Sequence, residues 1–208
     1  FYKTLYDKKE TSESNIDFFN NQINTLTNEE KNKCENILTE YECGIALKDM
    51  NNSKSPGSDG ITTEFYKMFW NNLKTHYVRS LNYSFQTKQL TELQTQGLIT
   101  LLPKTDKDIT FLANWRPICL HNLDYKIATK AIRNRIKNVL NAIIDNSQTG
   151  FMKGRYIGEN IRLLCEIIEY TDDNQIPGLL FFSDFEKAFD TVDHEFIFKC
   201  LKHFNFGN

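Results

Sequence analysis

Apolar positions recur along this chain at helical spacing in five places and run continuously, as in strands, in three. Cys43, Ala46, Leu47 and Met50 fall at i, i+3, i+4 and i+7, one face of a helix. Thr39 with Glu42, and Thr27 with Glu30, have the spacing of a capping box and mark two helix starts. From about Thr63 a helix is predicted to bury Phe65, Phe69, Trp70 and Leu73. A longer one is predicted from Leu123 to Ile144, with Asn122 as N-cap and Ile132, Ile136, Val139, Leu140 and Ile143 on one arc. Another begins at Gly158, its core face formed by Ile157, Ile161, Leu164, Cys165 and Ile168. The last is capped by Asp193 and presents Phe196, Ile197, Cys200, Leu201 and Phe204.

The strands read differently. Gly97 to Lys104, stopped by Pro103, and Trp115 to Leu120 flank a charged turn and predict a β-hairpin. Leu179 to Phe182, introduced by Pro177-Gly178, is an unbroken apolar run of strand length, as expected for a strand covered on both faces. The fold class is therefore α+β and helix-rich.

Composition adds little until its distribution is considered. The 208 residues carry 25 Lys and Arg against 27 Asp and Glu, a net charge of −2. Between Gly97 and Leu163, however, eleven basic residues face five acidic ones, +6, which leaves 14 against 22, or −8, for the rest. A basic block inside an acidic chain is a local footprint for a polyanion. Five cysteines without close pairs suggest neither a zinc site nor a disulfide framework, and a reducing compartment is expected. No apolar run is long enough to cross a membrane. Residues 1–26 are polar and read as a linker or upstream tail, and both Phe1 and Asn208 look like cuts through a longer protein.

Two features carry candidate chemistry. Asp184 closes the apolar run; a carboxylate at the end of a buried strand is costly unless its charge is compensated, and a divalent cation would do so. The bland alternative is a solvated strand end or a turn cap. Lys126, Lys130, Arg133 and Lys137, spaced 4, 3 and 4, form a stripe beside the apolar arc of the long helix. That stripe is either a solvated face or a surface for a nucleic-acid backbone.

Four segments then resemble, in order, those of reverse transcriptases of LINE-type, non-long-terminal-repeat retrotransposons: KSPGSDGITTEFYKMFW, LLPK…NWRPICL, QTGFMKGRYIGENIR and SDFEKAFDTVDH. The resemblance implies a right-hand polymerase fold represented by fingers and a partial palm. It divides the chain into an N-terminal helical extension, residues 27–96, with a template-contacting loop, and a reverse transcriptase domain, residues 97–208, that stops early in the palm. By resemblance Lys54 meets template phosphate, while Lys104 and Arg116 hold the incoming triphosphate, roles that suit a mobile point charge and a planar fork. Asp184 with the Phe185 carbonyl would ligate two Mg2+ ions, and Phe189 would be the gate that excludes a ribose 2′-hydroxyl. Glu186 and Asp190 match no catalytic position. The helical stripe, with Lys153 and Arg155 of the glycine-punctuated segment, completes the expected nucleic-acid contacts.

Implied partners are an RNA template, a DNA primer and deoxynucleoside triphosphates, with no membrane. An upstream endonuclease and a downstream palm and thumb are expected in the whole protein, within the cytoplasm and nucleus. One departure matters. The Tyr/Phe-x-Asp-Asp turn that supplies the family's other metal carboxylates does not occur in this sequence; Asp172-Asp173 lacks the aromatic and precedes the strand. The chain is therefore read as a segment of an RNA-directed DNA polymerase, inactive by itself and active only when completed, the alternative being a catalytically dead relic or a repurposed RNA-binding module.

Overall fold

Three Thr-initiated capping boxes set the helical starts in the N-terminal half. In each, the threonine hydroxyl accepts from an N–H three residues on, and the side chain there accepts from the threonine N–H: Thr27 with Glu30, Thr39 with Glu42 and Thr91 with Gln94. The third had no counterpart in the sequence reading. The computed structural model describes residues 24–185 and 188–207. The helices are α1 (Asn28–Cys34), α2 (Glu40–Lys48), α3 (Thr63–Thr87), α4 (Glu92–Thr95), α5 (Leu123–Ile143), α6 (Gly158–Asp173), α7 (Ala188–Thr191) and α8 (His194–His203). Between α4 and α5 lie β1 (Gly97–Pro103) and β2 (Trp115–His121). The strands pair antiparallel, from Gly97 opposite His121 to Pro103 opposite Trp115. The described fold is thus helix-rich with one small two-stranded sheet.

The chain forms two compact units, Lys33–Ile136 and the described residues of 1–32 with 137–208. In the first, α2 buries Cys43, Ala46 and Leu47 against Val78 and Leu81 of α3 and Leu123, Ile127 and Ala131 of α5. The α2 face follows the predicted spacing. The α3 and α5 faces follow it in part: Trp70 and Leu73 on α3 and Ile136, Val139, Leu140 and Ile143 on α5 are buried or half-buried, whereas Phe65, Phe69 and Ile132 are exposed. Phe65 and Phe69 are 44% and 42% exposed, their rings tilted against one another at 4.9 Å, and Tyr66, Trp70 and Tyr77 join Val78 and Leu81 at the core. On α5 the buried row advances by four, Leu123, Ile127 and Ala131, continues at Val139 and Ile143, and leaves Ile132 44% exposed.

The gap in that row is Arg135, where an apolar residue would be expected. Its guanidinium grips both carboxylate oxygens of Glu42 and donates to the carbonyls of Glu35 (2.9 Å), Asn36 (2.7 Å) and Ile37 (2.9 Å). One side chain thereby satisfies the carbonyls that follow α1 and fixes the acid of the α2 capping box. Two more ties close the unit. Asn82 exchanges a pair of hydrogen bonds with the backbone of Leu38 (2.9 and 2.8 Å), and the Tyr77 hydroxyl donates to the Asp124 carbonyl (2.6 Å).

In the second unit Leu26 is buried, donating to the Phe204 carbonyl (3.0 Å) and accepting from the Asn205 amide (2.8 Å). Asp193 caps α8 through the Glu195 N–H (2.8 Å), as its sequence predicts. Three other expectations need correction. Leu179 to Phe182 forms no strand: Leu179, Phe181 and Phe182 are 92%, 84% and 78% exposed. A strand needs a neighbour whose N–H and C=O groups face its own, and among the described residues the only ladder joins β1 to β2. The apolar face of α6 is likewise uncovered, with Ile161 and Ile168 exposed, and α8 leaves Ile197 exposed while Phe196, Cys200, Leu201 and Phe204 are half-buried. The tail at residues 1–23, Glu186 and the Phe189 side chain lie outside the described residues.

The Arg135 guanidinium holds the Glu42 carboxyl down at about 2, from an ordinary value of 4.5. Since the folded value lies below the unfolded one, this pair's contribution is complete above pH 4.5 and is lost as pH falls towards 2. Urea midpoints of the native chain and Glu42→Gln should therefore converge across that window. Arg135→Ala at neutral pH should cost about 2–3 kcal/mol, since it strips a part-buried carboxylate and three carbonyls of their partner. An unchanged midpoint would remove Arg135 from the framework.

Candidate nucleic-acid interface

The loop between α2 and α3 is held by the absence of a side chain. A Cβ on Gly57 would lie 2.1 Å from the Asn122 side-chain oxygen, 2.5 Å from the Asn122 nitrogen and 2.6 Å from the His121 carbonyl carbon. Only glycine fits. Asn122 itself is 2% exposed and uses both ends of its carboxamide: the oxygen accepts from the Ser58 hydroxyl and the Asp59 N–H (both 3.3 Å), and the amide donates to the Leu93 carbonyl (3.0 Å). The predicted N-cap of α5 is thus a tie between the loop, the segment before β1 and the start of α5. Beyond it the loop turns at Gly60, whose φ of +71° suits glycine, and an Asx bond from the Ile61 N–H to Asp59 (3.0 Å) leads into α3. On the other side Lys67 donates to the Met50 carbonyl (2.6 Å) and the Asn52 side chain (2.8 Å).

This folding creates a cleft of about 340 Å³ between loop, α3 and α5. Lys54, Lys126 and Lys130 all line it, with Ser55, Thr62 and Thr63. Three lysines from two separate segments, the loop and α5, therefore converge. Lys130 donates to the Asp49 carbonyl (2.6 Å) at the cleft edge, and desolvation, reinforced by the Arg133 and Lys67 charges, pulls its ammonium below the ordinary lysine range. Lys54 is exposed and Lys126 half-exposed. Arg133 is exposed farther along α5, and Lys137 belongs to the second unit.

The other candidates fall elsewhere. Arg116 is exposed on β2 opposite Leu102, and Lys104 lies one position beyond the last ladder pair, its ammonium on the Ala113 carbonyl (2.9 Å). Asp108 ties the intervening loop through the Thr110 N–H (2.9 Å) and hydroxyl (2.7 Å). Arg155 has a scaffold role that sequence did not reveal: it donates to the carbonyls of Ile144 (2.9 Å) and Gln148 (2.8 Å) and to that of Asp145, closing the end of α5. Lys153, two residues before, is exposed. Asp184 and Phe185 are exposed on irregular backbone, and no three His, Cys, Asp or Glu side chains gather into a metal site among the described residues. One carboxylate does not fit a pair of divalent ions, so the two Mg2+ expected by resemblance are not accommodated by these residues alone.

The family model for reverse transcriptase (RNA-dependent DNA polymerase) matches residues 102–208, or 107 of the 208. The chain belongs to the reverse transcriptase family. Two curated relatives agree. The uncharacterized 149 kDa protein of transposon TX1 of Xenopus laevis is 32% identical over 207 residues, 100% of this chain and 16% of the relative. The putative 115 kDa protein in the type-1 retrotransposable element R1DM of Drosophila melanogaster is 26% identical over 157 residues, 75% of this chain and 15% of the relative. The LINE-type resemblance read from the four motifs is thus supported along the chain, and this reverse transcriptase segment spans about one sixth of the length of these relatives. Reverse transcriptases generally use divalent metal ions. No helix among the described residues is long and apolar enough to cross a membrane.

The close approach at Gly57 generates a stability prediction. Gly57→Ala should destabilise the chain by about 1–3 kcal/mol, because the obstructing atoms are backbone and a buried amide rather than a flexible side-chain end. Asn122→Ala, which leaves three polar partners unmatched, should cost about as much. Limited trypsin digestion should then cut faster after Lys54 in both variants. Unchanged cleavage there would show that the loop is held by something else.

Proposed function

We propose that the chain is a segment of an RNA-directed DNA polymerase of a mobile element, contributing the fingers and the beginning of the palm in a right-hand fold. The observation that carries this reading beyond family membership is the cleft that gathers Lys54, Lys126 and Lys130. A lysine-lined cleft with the exposed Ser55 beside it suits a phosphodiester backbone, to which ammonium groups bind as point charges and from which they release counterions. In this reading residues 27–96 form the extension that lays its loop over the template, and residues 97–208 belong to the polymerase domain. RNA template, DNA primer and deoxynucleoside triphosphates are its partners.

Lys104 and Arg116 are assigned to the triphosphate. Their place at the loop end of the hairpin supports that role, since both charges approach a ligand there without crossing the core. Asp184 is assigned as one metal carboxylate of the complete enzyme, its partners supplied from outside these residues, and Phe189 as the sugar gate. Arg155 holds the end of α5 and is a positioning residue; Lys153 is the exposed charge that its loop offers to nucleic acid.

Binding of unstructured RNA to the 208-residue chain tests the reading. Lys54→Gln, Lys126→Gln and Lys130→Gln together should flatten the slope of log affinity against log salt by about 2, from about 0.7 per charge on a single strand. An unchanged slope would mean that the cleft lysines meet only solvent. In a polymerase completed with the remaining palm and thumb, Arg116→Ala should raise KM for all four deoxynucleotides alike, because the lost contact is to phosphate. There Asp184→Asn should abolish primer extension while Asp190→Asn keeps substantial activity. Equal loss from both would withdraw Asp184 from the site.

A further inference from the structure

Between them, α2 and α3 leave an open groove of about 860 Å³. Its chemistry is one-sided. Lys48, Lys67 and Lys74 line it against a single acid, Glu40, and both oxygens of Glu40 are already taken, by Lys74 (3.2 Å) and the Thr75 hydroxyl (2.8 Å). Tyr41 stands 77% exposed at the groove, and Trp70 forms part of the wall. Among the described residues the indole N–H of Trp70 has no acceptor; its ring packs edge-on to Tyr77 and close to Gly44, where a Cβ would come within 3.1 Å of that nitrogen. The wall thus offers donors, positive charge and an aromatic face, with no free carboxylate.

The groove also neighbours the lysine cleft. Lys67 lines the groove while its ammonium holds Met50 and Asn52 of the loop, and Met50 lines the cleft. Lys48 and Asp49, adjacent in sequence at the end of α2, face the groove and the cleft respectively.

We propose that the α2–α3 groove is a second subsite for single-stranded RNA, in which a base stacks on Tyr41 and the adjoining phosphates lie along Lys48 and Lys67 towards the cleft. A stacking face with flanking ammonium groups is what an unpaired strand requires, and it reads no particular sequence. An acidic peptide would use the charges but has no need of a flat aromatic face. The inference rests on the reading of the cleft as a nucleic-acid surface and extends it to a longer strand.

The test uses the 208-residue chain, with Trp115→Phe so that Trp70 alone reports, and unstructured oligouridines of increasing length. RNA long enough to leave the cleft should change Trp70 fluorescence, and short RNA should not. Tyr41→Ala should weaken long-RNA binding about tenfold without changing the salt slope, and Tyr41→Phe should restore it. Lys48→Gln should lower the slope by about 0.7. Both side chains are exposed, so circular dichroism and urea midpoints should stay as in the parent. If Tyr41→Ala and Lys48→Gln bind long RNA like the parent while the cleft variants lose their slope, the groove is not a subsite and the cleft stands. If the cleft variants are also unchanged, the nucleic-acid reading itself fails. Displacement of oligouridine from the groove variants and parent alike by a glutamate-rich peptide, with no stacking effect at Tyr41, assigns the groove to a protein partner and overturns the proposal.

Discussion

Between Gly57 and Asn122 there is no room for a methyl group, and the arrangement of the first unit's surface follows from that contact. A loop of small and polar residues has little apolar area with which to hold itself in place, so its position has to come from backbone hydrogen bonds to something rigid. Asn122 supplies them because it is buried at the start of a long helix and its amide is directed to two different segments. The loop thereby becomes a wall of the cleft. Lys54 meets Lys126 and Lys130 although more than a third of the chain separates them in sequence.

The same economy explains why charge in the basic block is a poor guide to function when counted residue by residue. Of its eleven Lys and Arg, Arg135 and Arg155 have their guanidinium groups turned onto carbonyls at helix ends, Arg135 also onto Glu42. Guanidinium suits this work because its donors are fixed in a plane and remain charged in a partly dry setting. Lysine, with a flexible stem and compact charge, remains more often at the surface. The cations lining the cleft and groove are accordingly all lysine.

Much of the fold was legible because it is local. The capping boxes at Thr27 and Thr39, the span of α5, the start of α6 and the strands of the hairpin each follow from a few neighbouring residues. Burial was less legible, because periodicity names a face without naming its neighbour. Phe65 and Phe69 lie on a helical row as apolar as the one that is buried, and Arg135 occupies a core row whose pattern would call for an aliphatic side chain. The cleft illustrates the remaining gap. Its lysines were each identified, one by motif and two by helical spacing, but their convergence depends on Asn122 reaching the loop, and a buried asparagine reads in sequence as a cap. The role of Arg155 was hidden for a related reason, since its partners are backbone carbonyls that carry no side-chain signature.

Asn122 also bears on the relation between template and nucleotide. Its oxygen holds the loop and its nitrogen holds the Leu93 carbonyl, four residues before β1 begins. Asn122 therefore ties the loop to the segment that leads into the hairpin. With the loop on the template and the hairpin end on the triphosphate, as proposed, a shift of either must load the same carboxamide. An amide is well suited to that position: it donates and accepts at once, without bringing a charge into a buried site. Aspartate would keep the bonds to Ser58 and Asp59 but present a carboxylate oxygen to the Leu93 carbonyl, repelling the hairpin side while retaining the loop. The amide at this one position is thus what lets loop and pre-strand segment share a single support.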